Sequence, residues 1–191
     1  MSTDLSRHID STPLIDTHEH LRFEEDWLED GPDILQDLFG NYVTADLAVA
    51  GATEDDIQML FDASNPDLAT RFERIRKAWE AVQFTGYGEA VRNLAEHIYQ
   101  MSTITTEALP QAQERLTKLR KPGTRLGLLK RGANLDHVQT DNFVWACGPD
   151  ETGRDFFLYD LSWVNFCNGD SRRGDLAKET GIEVNSLEDL R

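Results

Sequence analysis

Pro13-Leu14-Ile15-Asp16-Thr17-His18-Glu19-His20 opens on apolar residues and ends in two histidines one position apart. Residues 13–17 read as a short strand, too brief to stand alone. In a strand, positions i and i+2 point to the same side, so the imidazoles of His18 and His20 converge above the strand's end. Neutral imidazole is a favoured ligand for zinc and similar divalent ions, and two such ligands on a rigid strand lose little entropy on binding. Glu19 points the other way and is a poor direct ligand. Two polar residues at a loop mouth would give the same pattern. The apolar strand start, Asp16 two residues before His18, and the early position in an α/β chain favour a metal-binding pair.

Helical periodicity dominates the middle of the chain. From Phe23 to Phe39 the sequence is acidic, with Ile34, Leu35, Leu38 and Phe39 placed for a helix. Thr53 with Asp56 resembles a capping box with Asp in place of Glu, leading into Ile57, Leu60 and Phe61. Leu68, Phe72, Ile75, Trp79 and Val82 recur at steps of four and three, with Arg71, Arg74, Arg76, Lys77 and Glu80 expected mostly to face away. Gly86-Tyr87-Gly88 is expected to break that helix. A second stripe, Tyr87, Val91, Leu94, Ile98 and Met101, completes a helical hairpin. A third helix is expected over Thr106–Lys121, with Pro110 near its start and Pro122-Gly123 closing it. Arg125–Lys130 is a short helical candidate. His97, between Leu94 and Ile98, reads as a helix-surface or packing residue.

The period changes after Leu135. His137, Gln139 and Asp141 alternate with Val138 and Thr140, which predicts a strand. His137 and Asp141 share one strand face, as ordinary polar strand residues do. Gly148–Glu151 reads as a turn, Phe156–Val164 as a buried strand, residues 168–181 as a loop, and Asn185–Leu190 as the opening of a helix. A helix beginning at the final residues has the look of a truncation, and a frayed natural tail gives the same pattern. Glu24, Glu25, Asp26, Glu29 and Asp30 lack calcium-loop spacing and are expected to form a solvated face.

Composition narrows the function classes. The 191 residues carry a formal net charge of −16 and are 39% hydrophobic, enough for a real core. A surface this acidic repels phosphate backbones and anionic lipid, so neither nucleic acid nor a membrane is an expected partner. The apolar runs are too short for a membrane span, and Met1–Asp10 lacks the pattern of a secretory signal. Cys147 and Cys167 are too few for a disulfide framework, fit a reducing cytoplasm, and are expected to pack rather than react. Twenty Asp and 15 Glu stand against 14 Arg and only 5 Lys, and a surface so rich in Asp suggests a halophilic host.

Leu14-Ile15-Asp16-Thr17-His18-Glu19-His20-Leu21 resembles the opening strand of the amidohydrolase superfamily, metal-dependent (β/α)8 barrels whose first strand ends in His-x-His. Tyr42 with Asp46-Leu47 and Ala50-Gly51, Trp79 with Thr85-Gly86-Tyr87, and Lys121-Pro122-Gly123 before Leu128-Leu129 are similar, in that order, to the uronate isomerase-like branch. There a helical insertion follows the first strand. The likeness covers most of residues 13–145. It implies an α/β fold, the N-terminal part of a TIM-like barrel with a mostly helical insertion after its first strand. Within one incomplete domain over 1–191, residues 13–20 would be the first barrel strand, 23–130 the insertion, and 134–191 further strands and the start of a helix.

The resemblance implies His18 and His20 as metal ligands, a divalent ion (zinc foremost) as cofactor, and hydrolysis of a small polar substrate. Isomerisation of a sugar acid is the alternative. Further ligands and the general base are unassigned, because a barrel needs eight strands and roughly 250 residues while this chain offers three. The missing part would come from a complementing C-terminal segment or from homo-oligomerisation. Exposed strand edges and helix faces would make the chain alone poorly soluble or oligomeric. A non-catalytic, mostly helical fragment from a split or truncated gene is the reading from another class.

Overall fold

A computed structural model describes residues 3–141, 151–159, 167–169, 173–174, 177 and 181–189. The fold is α/β: a three-stranded parallel sheet in the order β1-β2-β3 and a larger number of helices. Two compact units divide the chain. The sheet unit takes Met1–Glu29 and Lys121–Arg191, and the helical unit takes Asp30–Arg120, a narrower span than the 23–130 expected for the insertion.

In the sheet unit, β1 (Leu14–Glu19) pairs with β2 (Leu135–Thr140), which pairs with β3 (Phe157–Tyr159). Val138 is fully buried with Phe156 and Phe157, and Leu21, Leu126, Leu129, Leu135 and Tyr159 pack around them. Val138 and Thr140 are buried while His137 and Gln139 are half-buried, the alternation predicted for this strand. Among the described strands β1 lies at an edge of the sheet, and its Leu14 and Ile15 are exposed. Helix α1 (Asp4–Ser11), within a lead read as merely polar, buries no residue. The strand expected over Phe156–Val164 is seen at Phe157–Tyr159; residues 160–164 lie outside the described set, as do Cys147 and most of the Gly148–Glu151 turn. Two expectations fail near the C-terminus. Residues 173, 174 and 177 are helical where a loop was expected. Ser186–Asp189 forms a bend rather than a helix, because the Asp189 carboxylate accepts from the Asn185 and Ser186 amides and folds the segment on itself.

The helical unit is built from short helices. Gly31-Pro32 divides the acidic stretch into α2 (Glu24–Asp30) and α3 (Ile34–Phe39), and Ile34, Leu35, Leu38 and Phe39 all reach the core. Asp33 caps α3 and forms a reciprocal capping box with Gln36. Next comes α4 (Val43–Val49), a helix that periodicity did not reveal, buried through Val43 and Leu47. The Thr53–Asp56 box opens α5 (Glu54–Phe61) as anticipated, with both of its bonds formed.

The stripe from Leu68 to Val82 spans two helices, α6 (Leu68–Glu73) and α7 (Arg76–Val82), separated by a turn at Arg74-Ile75. Its apolar members reach the core, but Arg71 does not face away. It is fully buried, donating from Nε and Nη2 to the Leu60 carbonyl at 3.1 and 2.7 Å, and from Nη1 to the Asp33 carboxylate at 2.5 Å. The glycines at 86 and 88 do not end a helix; they begin α8 (Gly86–His97), capped by Thr85. The interruption sits one turn earlier. A Cβ on Gly88 would stand 2.2 Å from the Val82 carbonyl oxygen, so close approach of the α7–α8 connection is what requires glycine there. After α9 (Leu109–Leu119), with Pro110 in its first turn, Gly123 takes a left-handed φ of +77°, and α10 (Thr124–Gly127) and a π turn over Leu128–Gly132 lead into β2.

Asp37 on α3 is half-buried at the margin of this core. Burial pushes its carboxyl above the ordinary 3.8, although the Tyr99 hydroxyl donates to it at 2.5 Å and the Arg120 charge lies nearby. Burial also raises the Tyr99 hydroxyl, and the Asp37 charge adds to that rise. A raised carboxyl keeps its proton longer in the folded than in the unfolded chain. Its contribution to stability is therefore full below about 3.8 and is lost as pH climbs through the folded value. Asp37→Asn keeps an acceptor for Tyr99 and removes a partly desolvated charge. The variant is expected to melt above wild type at pH 7, with the difference closing as the buffer is acidified below that ordinary value. A gap that widens in acid would contradict the assignment.

Candidate metal centre

The two histidines stand at the carboxyl end of β1, where open α/β sheets place their ligands. Register with β2 shifts between Asp16 and Glu19, so β1 spends three residues where β2 spends two. Such a bulge re-aims the side chains beyond it. Glu19 then pairs with Thr140, whose side chain is buried, while Glu19, His18 and His20 are all exposed.

Their rings are 4.7 Å apart, centre to centre, and meet at 84°. Two imidazoles on one tetrahedral ion, with metal–nitrogen bonds of about 2 Å, stand about 5 Å apart between ring centres. The spacing therefore suits a shared ion. The His18 amide donates to the Asp16 carboxylate at 3.2 Å. His20 is held more firmly, its Nδ1 lying 2.6 Å from the backbone oxygen of Asp141. A carbonyl only accepts, so Nδ1 carries the proton and Nε2 is the unprotonated nitrogen of that tautomer. Ligating histidines are commonly oriented in this way. Asp141 in turn donates its amide to the Glu19 carbonyl at 2.8 Å, so the partner of His20 is itself fixed by the β1–β2 ladder.

No family model, no curated protein and no solved structure matches the chain.

Other candidates fall elsewhere. His97 ends α8 and is exposed, as a helix-surface residue should be. His137 lies on β2 with its Nδ1 2.7 Å from the Asp136 carboxylate. The Asp141 side chain is buried just past β2, and it is the residue's main chain that serves His20. Among the acidic residues from 24 to 30, Glu24 departs from the solvated face expected of them: it is buried and accepts the Gly123 amide at 2.9 Å. The other four are exposed. Cys167 is exposed with a free thiol, not packed.

Among the described residues, no three His, Cys, Asp or Glu side chains are grouped to hold a metal ion, and no helix is long and apolar enough to cross a membrane. The donor set fits half of a metal centre. A groove of about 360 Å³ in the helical unit, between α7 and residues 103–107, supplies no second centre. Its Arg76 is held by Glu73 at 2.9 Å and Glu80 at 2.7 Å, so its charge is already neutralised. The missed element is the Asp141 carbonyl, a main-chain group that no residue type announces.

Proposed function

We propose that this chain is part of a metal-dependent, amidohydrolase-like enzyme, with His18 and His20 as two ligands of a divalent ion, zinc foremost, and hydrolysis of a small polar substrate as its reaction. The observation that carries this reading is the hydrogen bond from His20 Nδ1 to the Asp141 carbonyl at the carboxyl end of a parallel sheet. It holds one imidazole in the metal-binding tautomer beside a second at the right spacing. When bound, the ion polarises a carbonyl or activates water. The chain's own residues hold it and keep both rings oriented.

The fold that belongs with this reading is the N-terminal part of a (β/α)8 barrel carrying the helical unit as an insertion after its first strand. Further strands and ligands then come from a complementing segment or another copy. A reducing, cytoplasmic setting belongs with it too, given two cysteines in the chain and a free thiol at Cys167. A non-catalytic helical module is the second reading, favoured by the lack of a third ligand among the described residues.

Metal analysis of the full chain after zinc loading and desalting separates the two. Zinc retained by wild type is expected to fall at least about tenfold in the His18→Ala, His20→Ala double variant, with far-ultraviolet circular dichroism unchanged. Equal zinc in both proteins would remove the ligand assignment and leave the module.

A further inference from the structure

Asn168-Gly169 is the single Asn-Gly step in the sequence. Cys167 is helical, Asn168 and Gly169 form the turn that follows, and all three residues are exposed. Gly169 takes a left-handed φ of +81°. A step of this kind carries its own chemistry. The side-chain amide carbon of an asparagine can close a five-membered ring with the backbone nitrogen of the next residue, and a side chain on that residue crowds the ring. Glycine has none, and its backbone reaches conformations that other residues avoid. Asparagine is accordingly among the thermolabile residues of proteins.

The other described asparagines are protected in different ways. Asn65 precedes Pro66, whose nitrogen carries no hydrogen to lose. Asn93 and Asn134 precede leucines, which crowd the ring. Asn41 has its amide tied at both ends: Nδ2 donates to the Leu38 carbonyl at 2.9 Å, and Oδ1 accepts from the Val43 amide at 2.9 Å. Asn185 is the nearest competitor, since it is exposed and precedes the small Ser186. The Ser186 amide, however, donates to the Asp189 carboxylate at 2.8 Å. That nitrogen must surrender a charge-assisted hydrogen bond before it can attack.

We infer that Asn168 is a site of spontaneous deamidation. The Gly169 nitrogen bonds to the Asn168 side-chain carbon, the bond from that carbon to the side-chain nitrogen breaks, and ammonia leaves with the proton of the Gly169 amide. Water then opens the resulting succinimide at either of its two carbonyls. Opening at the main-chain carbonyl gives isoaspartate, and opening at the side-chain carbonyl gives aspartate. Water is the only reactant consumed. Either product adds one negative charge to the −16 of the chain, so the converted fraction marks how long a molecule has existed.

Peptide mapping of the full-length chain during incubation in mildly alkaline buffer tests this. The peptide carrying Asn168 is expected to gain the mass difference between an amide and a carboxyl group, as two separable products of equal mass. Its conversion should run at least about tenfold faster than that of the peptide carrying Asn185, whose attacking nitrogen is engaged. Asn168→Gln, which would have to close a six-membered ring, is expected to keep its mass over the same period. An Asn168 peptide that keeps its mass throughout overturns the inference, as does equal conversion at Asn185. So does conversion to aspartate alone, the mark of direct hydrolysis without a ring.

Discussion

Arg71→Ala is expected to destabilise the helical unit by about 3–5 kcal/mol, read as a lower midpoint in urea with the slope unchanged. Arg71 is the largest fully buried side chain in the described structure. Its guanidinium links the N-terminus of α3 through Asp33, the end of α5 through the Leu60 carbonyl, and the following turn through the Asn65 carbonyl at 3.2 Å. Removing it strands the Asp33 carboxylate, only 19% exposed, and leaves carbonyls without donors in a site closed to water. The carboxylate also caps α3, so an unpaired charge there weakens that helix's start. Arg71→Lys should recover only part of the loss, since an ammonium cannot reproduce a planar fork reaching carbonyl and carboxylate together. Full recovery by lysine would show the site to be a simple charge pair.

Phe39→Ala should cost a similar amount, about 3–5 kcal/mol, for a different reason. Phe39 is completely buried, edge-on to Trp79 at 5.3 Å and 6.2 Å from Phe72. It is the point where α3, α6 and α7 meet through aromatic rings. Alanine leaves a cavity walled by two rigid rings that cannot collapse into it, which places the cost at the upper end for such truncations. Phe39→Leu fills much of the space and should cost markedly less. Trp79 fluorescence offers a direct readout of the loosened packing. A loss under about 1 kcal/mol for alanine would mean that the three helices hold together without this contact.

The residues that made these elements legible are those whose signal is local. Ile34, Leu35, Leu38 and Phe39 announced α3, and Thr53 with Asp56 announced the start of α5, because apolar spacing and capping act within one or two turns. The alternation of Val138 and Thr140 with His137 and Gln139 announced β2. What escaped was decided by contacts distant in sequence. Arg71 belongs to a charged series that by periodicity faces water; an acceptor at Asp33, 38 residues away, draws it in. Glu24 is drawn inward by the Gly123 amide, 99 residues on. Gly88 reads as a breaker in isolation, and only its approach to Val82 reveals a packing role. At the site, the His18–His20 pairing follows from strand geometry. The bulge that re-aims it and the carbonyl that orients His20 are main-chain features, invisible in side-chain identity.

The tie between Glu24 and Gly123 has one more implication. Arg125 makes a second tie close by, donating to the Arg22 carbonyl. Within the sheet unit, then, the strand leaving β1 and the segment returning toward β2 are already stitched together on either side of everything that intervenes. The helical unit, Asp30–Arg120, lies in sequence between the two sides of these ties. A short synthetic loop joining 24 to 123 is therefore expected to leave both ladders of the sheet intact.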